Sequence, residues 1–397
     1  MPHHLITHTD ELEAFCRGAK KAPFITVDTE FLREKTYYPQ LCVVQLATPD
    51  AHSEIAVDAL SPDINLAPLE DLLFDPRIVK VFHAARQDLE IMTYLFDGRA
   101  VAPVFDTQVA AMVTGYGDQI GYQSLVQQIC HVTLDKSNQF TNWSRRPLTD
   151  AQIEYALADV TYLRDVYLHL KELLDTKERW SWVHDEMDKL HDPETHITHP
   201  EDVWARVKMK GNKRESLVVL QELAAWRERE AQERDKPRLY IIRDEVISEL
   251  ARQLPKNTKD LENIRGLPEK YRNGKYAQLL LDTIQTALER PKSTWPKKEE
   301  KNILPPEFGP ALEMLKMLLK IQATEFGIVP RLIATPQDLE ILLMKSDPEL
   351  QILHGWRYEI FGKQAQSLIN GEICLTLEKN KVRYISRNAA QVPQNKD

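Results

Sequence analysis

The chain has 397 residues, 43% hydrophobic and 28% charged, which suits two or three globular domains and excludes a disordered chain. No apolar run approaches the roughly 20 residues that span a bilayer, MPHHLITHTDELEAF lacks a secretory layout, and four scattered cysteines without a CxxC pair read as reduced thiols in a cytoplasmic protein. The net charge of −9 divides unevenly: residues 1–200 sum to −14 and residues 201–397 to +5, an acidic half suited to cations joined to a basic half suited to phosphates.

The elements of the first half alternate between strand and helix. Phe24–Phe31 (FITVDTEF), Leu41–Ala47 (LCVVQLA) and Glu54–Val57 read as a meander of three strands. A helix near Leu66–Phe74 follows, then a buried strand Ile78–His83 and a helix Ala84–Phe96 with Leu89, Met92 and Phe96 on one face. Helices are expected at Asp106–Val113 and Gln123–Cys130. A long one starts after Pro147, with Thr149 and Gln152 at capping-box spacing and a stripe from Ile153 to Leu174. From Trp182 to about Gly211 the pattern thins into His, Asp and Pro and reads as a linker; its four histidines, His184, His191, His196 and His199, match no zinc spacing.

Beyond residue 213 only helical periodicity is read, and it repeats. Pro237-Arg238-Leu239 and Pro330-Arg331-Leu332 lie 93 residues apart, Gly266 and Gly355 lie 89 apart, and Gly274-Lys275 and Gly362-Lys363 lie 88 apart. A near-constant offset implies two copies of one small helical domain joined by the Pro/Lys-rich stretch Pro291–Pro306. The expected boundaries are 1–182, a linker 183–212, 213–291, 300–380 and a tail 381–397.

The chemistry is carried by acids. Asp28 and Glu30, two apart on the first strand, project to one face, with Ile25 and Val27 on the other. Asp88 lies on the helix after the buried strand. Tyr155 and Asp159, four apart, share a face of the long helix. Brought together, like charges about 4 Å apart repel by roughly 4 kcal/mol per pair at an effective dielectric near 20. Such a cluster holds protons or hard divalent cations, and Mg²⁺ or Mn²⁺ suits all-carboxylate ligands. Paired ions beside a phenol that orients water point to phosphodiester hydrolysis.

VDTEF (27–31), FHAARQDLEIM (82–92) and EYALADVTYL (154–163), the last as Y-x-x-x-D, resemble the three motifs of the DEDD exonucleases in their tyrosine subgroup. TYYPQLCVVQL (36–46), FDTQVAA (105–111), LDKS (134–137) and RPLT (146–149) are similar to the ribonuclease D branch of that family, and the two repeats to its HRDC domains. The resemblance spans roughly residues 20–375. It implies an α/β ribonuclease H-like catalytic domain with a mixed sheet, followed by two small all-α HRDC-type domains. It further implies that Asp28 bridges two metal ions, that Glu30 and Asp159 complete the site of the attacking water, that Asp88 supports the second ion, and that Tyr155 aligns the water. The implied activity is 3′→5′ hydrolysis of RNA ends, releasing nucleoside 5′-monophosphates from precursor tRNA and similar small structured RNAs.

Substrate contacts are read with alternatives open. Phe31 is either a stacking platform for the terminal base or a core residue. Tyr37 and Tyr38 line the mouth of the site or pack. Lys136 and Arg145 are placed to meet backbone phosphates. In the repeats, Lys208, Lys210, Lys213, Arg214, Lys256, Lys259 and Arg272 are phosphate contacts or ordinary solubilising charges. Two rival functions remain, a DNA 3′→5′ exonuclease and an RNA-binding adaptor that has lost its chemistry.

Overall fold

The computed structural model describes residues 5–211, 213–297 and 304–387. The first half runs β1 (Leu5–Ile6), α1 (Thr9–Ala19), β2 (Phe24–Leu32), β3 (Gln40–Ala47), β4 (Ile55–Asp58), α2 (Ala67–Leu73), β5 (Val79–Phe82), α3 (Arg86–Leu95), β6 (Val104–Asp106), α4 (Thr107–Thr114), α5 (Tyr122–Cys130) and α6 (Asp150–Thr176). The strands form one mixed sheet ordered β1-β4-β3-β2-β5-β6. β2, β3 and β4 are the antiparallel meander, and β5 and β6 join parallel through helical crossovers. β1 and β6 are too short to leave a periodic signal, and both fell outside the sequence reading.

β2 is central, and its alternation sorts the two faces. Ile25 and Val27 are fully buried against α1, α2 and α3. Thr26 faces α6 and donates its Oγ1 hydrogen to the Val160 carbonyl at 2.9 Å. The expected capping box starts α6: Thr149 and Gln152 satisfy each other's backbone N–H groups. The β2–β3 register runs Thr26↔Ala47, Asp28↔Gln45, Glu30↔Val43, then shifts through a β-bulge to Phe31↔Leu41.

The second half runs α7 (Trp180–His191), α8 (Arg214–Glu233), α9 (Arg238–Ile241), α10 (Asp244–Gln253), α11 (Thr258–Glu262), α12 (Gly274–Glu289), α13 (Gly309–Phe326), α14 (Pro330–Ile333), α15 (Pro336–Met344), α16 (Gly355–Arg357) and α17 (Lys363–Ile369), then the hairpin β7 (Ile373–Glu378) and β8 (Lys381–Ser386). Two expectations are corrected here. Residues 183–211, read as a linker, are packed against both neighbours. α7 buries Val183 and Met187, and the 3₁₀ turns at Pro200–Arg206 bury Val203, with Val207 after them, against α8. The seven residues of those turns bury only Val203, too few to leave an amphipathic stripe. The second helical unit is not purely helical either. ICLTLE and KVRYIS pair around Lys379-Asn380, both at positive φ (48° and 64°), the geometry of a two-residue hairpin turn. The two Gly-Lys pairs also differ. Gly274 opens α12 at φ +71°, whereas Gly362 is helical, and a Cβ there would sit 1.9 Å from the Ile352 carbonyl oxygen. Parts of the 291–306 joint and of the 381–397 tail lie outside the described residues.

Each helical unit meets the catalytic domain through its own seam. The second shares a continuous apolar core with it, from Leu170, Leu174 and Val183 to Leu315, Leu319 and Phe361. Trp182 stacks on Trp356 with centroids 4.9 Å apart, and Arg357 reaches Asp185 and Glu186 at 3.2 and 2.7 Å. The first unit's seam is polar. Asp235 accepts from the backbone N–H groups of Tyr37 and Tyr38 at 2.9 and 3.0 Å. The Tyr37 phenol donates to the fully buried Glu228 carboxylate, which also pairs with Arg238 at 3.0 Å.

Candidate active site

The three elements that carry the motifs converge. Because β2 alternates and α6 crosses the sheet on the Thr26 face, Asp28, Glu30 and Asp159 each offer a carboxylate oxygen within 4.8 Å of the others. Among the described residues no other set of His, Cys, Asp and Glu side chains forms such a group. Asp88, in the first turn of α3, stands just outside it. Thr29, between the two strand acids and facing the other way, donates to the Asp88 carboxylate and holds it in place.

The electrostatics are those of a site short of positive charge. Burial, then the charges of Asp159, Asp88 and Glu30, hold Asp28 well above the usual carboxylate range. Burial, then Asp159 and Asp88, push Glu30 up to about 9. Burial raises Asp88 to about 7, against the opposing hydrogen bond from Thr29. It also raises Asp159 to about 7, against the Tyr155 phenol, which favours the charged carboxylate. Burial and the neighbouring acids push Tyr155 up, so the phenol keeps its proton. The charged neighbours that act on Asp28 and Glu30 are all acids.

These residues fit divalent cations. Hard oxygen donors crowd together without a counter-charge, the arrangement that Mg²⁺-type ions neutralise. A further observation points the same way. Gln45 pairs directly across from Asp28, so it shares that face, and it is fully buried with neither amide atom hydrogen-bonded to a described residue.

A cavity of about 270 Å³ opens onto Asp28, Tyr155 and Asp159, and His83, Tyr122, Lys136 and Gln139 also line it. Phe31 does not line this cavity: it is half-buried against the α1–α3 core. Tyr37 does not line this cavity either. It is buried in the first helical unit's core and seam, bonded to Glu228, so the packing alternative holds. Tyr38 stacks on Tyr94 at 3.6 Å in the same seam. Arg145 is exposed, while its neighbour Arg146 is tied to Asp58 at 2.6 Å. Arg214 donates to the Lys292 and Trp295 carbonyls and Arg272 to that of Leu267, which gives both a structural task. Lys208, Lys210, Lys213, Lys256 and Lys259 are exposed. The linker histidines disperse: His191 accepts from the Val104 N–H, and His199 pairs with Glu194.

His83, Tyr122, Gln139 and Gln45 were missed. His83 lay inside the second motif, unremarked. Its Nε2 is 3.0 Å from the Ile120 carbonyl, which places a proton there, and burial lowers its pKa. Tyr122 donates to the Ala158 carbonyl at 3.1 Å, one residue before Asp159.

A mixed sheet presenting acids to a long helix, with a tyrosine one turn before the helical acid, defines a 3′-5′ exonuclease of the ribonuclease H-like fold that depends on divalent cations. Residues 3–175 match the 3′-5′ exonuclease family and residues 216–284 the HRDC domain. The chain is 42% identical to ribonuclease D of Granulibacter bethesdensis, over 96% of each chain. It is 44% identical to that of Gluconacetobacter diazotrophicus, again over 96% of each. The crystal structure of Escherichia coli RNase D, an exoribonuclease involved in structured RNA processing, superposes with a TM-score of 0.80 at 30% identity, covering 94% of this chain and 99% of that one. The chain belongs to the ribonuclease D family.

Proposed function

We propose that this 3′→5′ exoribonuclease works through Asp28, Glu30, Asp88 and Asp159, which hold two divalent cations, Mg²⁺ or Mn²⁺, with Tyr155 orienting the attacking water. Its substrates are precursor tRNA and other small structured RNAs with a free 3′ end, and its products are nucleoside 5′-monophosphates. The observation that supports this reading best is the meeting of Asp28, Glu30 and Asp159 within 4.8 Å, where the charged neighbours that act on the strand acids among the described residues are acids. The ions, when bound, supply Lewis acidity and neutralise charge at the scissile phosphodiester. The protein's part is to position. Thr29 fixes the Asp88 carboxylate, the Tyr155 phenol, which donates to Asp159, offers its oxygen as acceptor to the water, and Lys136 at the cavity wall meets a backbone phosphate. The division into a catalytic domain and two HRDC-type units belongs to the same proposal. It is supported by the short helix that each Pro-Arg-Leu step forms.

The test is digestion of 3′-end-labelled RNA with and without EDTA, beside a matched DNA strand. Asp28→Ala is expected to lower turnover by more than about a hundredfold with RNA binding retained. Unchanged turnover would remove Asp28 from the mechanism, and faster hydrolysis of DNA would reverse the substrate class.

A further inference from the structure

We propose that Gln45 is a positioning residue for Asp28: its amide donates a hydrogen bond, directly or through one buried water, to the Asp28 carboxylate when that carboxylate holds cations. The proposal deepens the exoribonuclease reading above and rests on the cation site it describes. Gln45 stands directly opposite Asp28 in the β2–β3 ladder, and side chains so paired share a face with their Cβ atoms roughly 4.5–5.5 Å apart. It is fully buried, yet neither Oε1 nor Nε2 is hydrogen-bonded to a described residue. Primary amides are rarely left so, because taking one out of water unpaired weakens the fold.

The neighbours of the amide decide which partner it can take. Val43 and Ala47 flank it along β3 on the same face, and Ala56 stands opposite on β4; all three are apolar and fully buried. β3 is paired on both sides, so its own backbone is taken up by the ladders. Thr26, on one diagonal across β2, spends its hydroxyl hydrogen on the Val160 carbonyl. The Trp143 indole N–H, also unpaired in the apolar cluster that Val43 and Ala56 join, is a donor and can serve only Oε1. The Nε2 hydrogens need an acceptor, and the charged acceptors that share the face on β2 are Asp28, opposite, and Glu30, on the other diagonal. The acids themselves show which of them is short of a donor. Asp88 has the Thr29 hydroxyl and Asp159 the Tyr155 phenol, whereas Asp28 is given only a backbone N–H. Ligands of a metal are routinely held by such an outer partner, which fixes their orientation. An amide orients Asp28 without bringing charge, so neutralising the pocket is still left to the cations.

Mn²⁺ uptake by the full-length protein without RNA, followed by the EPR signal of the free ion, tests this. Gln45→Met keeps the length of the side chain and removes the amide. The Mn²⁺ Kd is expected to rise about tenfold, the cost of losing an outer partner of a metal ligand. The melting temperature of the metal-free protein is expected to hold or rise, because an unpaired buried amide has gone. With RNA, turnover is expected to fall at low Mg²⁺ and to recover as Mg²⁺ is raised to saturation. Val44→Ala, next in sequence but fully buried on the opposite face of β3, is the control: it lowers the melting temperature and leaves the Mn²⁺ Kd unchanged. An unchanged Kd in Gln45→Met overturns the proposal. So does an equal rise in Val44→Ala, which would make the effect a general loosening of β3. Failure of both Gln45→Met and Gln45→Leu to fold overturns it as well, since an amide that the empty fold leaves unpaired is dispensable to that fold. Absence of Mn²⁺ uptake by the parent protein would sink the cation reading of the site, and this proposal with it. Absence of the Gln45 effect alone leaves that reading standing.

Discussion

Charge is buried in two regions of this molecule, and only one of them supplies its own partners. In the seam with the first helical unit, the fully buried Glu228 meets Arg238 and the Tyr37 phenol. In the catalytic pocket, Asp28, Glu30 and Asp159 meet mainly one another. A buried charge that finds a partner within the chain ties two elements together. A set of buried like charges without one destabilises the empty fold and is held by packing around it, so its partner has to arrive from solution. Structure and chemistry thus use the same residue types with opposite bookkeeping.

The contrast breaks most visibly at the seam. Arg238→Met leaves Glu228 buried with one hydrogen bond, and urea unfolding is expected to show a loss of about 3–5 kcal/mol. A loss below ~1 kcal/mol would mean that Glu228 escapes to water and the seam is not a true burial. Asp28→Asn tests the other side. Hydrolysis falls more than about a hundredfold, equivalent to roughly 2.7 kcal/mol, yet the melting temperature of the metal-free protein rises because one repelling charge is gone. A lower melting temperature would show that Asp28 has a partner after all. Asp235→Ala removes one carboxylate that receives two backbone N–H groups and is expected to cost about 1–3 kcal/mol, with kcat on a short RNA retained.

The gentlest probe is pH. Glu30 is raised to about 9 and Asp159 to about 7, so the folded protein keeps protons there that the unfolded chain releases near 4. The stability these groups contribute is complete below the unfolded values and is lost as pH climbs through the folded ones. Chemical denaturation of the metal-free protein is expected to show stability falling between about pH 4 and 9, and saturating Mg²⁺ to remove much of that slope. A flat profile without metal would mean that the pocket carries no net proton.

Much of the pocket was legible because its members sit at fixed periods on regular elements. Asp28 and Glu30 two apart, and Tyr155 and Asp159 four apart, have their facing set by strand and helix geometry alone. Gln45 was not legible, because its place opposite Asp28 depends on a register that only strand pairing reveals. The packing of Tyr37 was hard to read for a related reason: its partner, Glu228, lies 191 residues away. The β7–β8 hairpin is a different kind of miss. ICLTLE and KVRYIS carry β-branched residues around a Lys-Asn turn, but a strong helical periodicity before them drew the same reading onward. In α7 the buried Val183 and Met187 stand four apart and were overlooked, whereas the 3₁₀ turns at 193–195 and 200–206 gave periodicity little to detect.

The β-bulge after Glu30 has an evolutionary consequence. A strand with strict pairing transmits any length change in its neighbouring loop to every side chain on it, turning inward groups outward. Here the surplus residue, Cys42, stands on β3 opposite the Glu30–Phe31 step, between the acidic run's partners and the Arg33–Pro39 connection, so slack there is absorbed before it reaches the carboxylates. A change in the length of that connection is therefore expected to leave the aim of Asp28 and Glu30 unaltered.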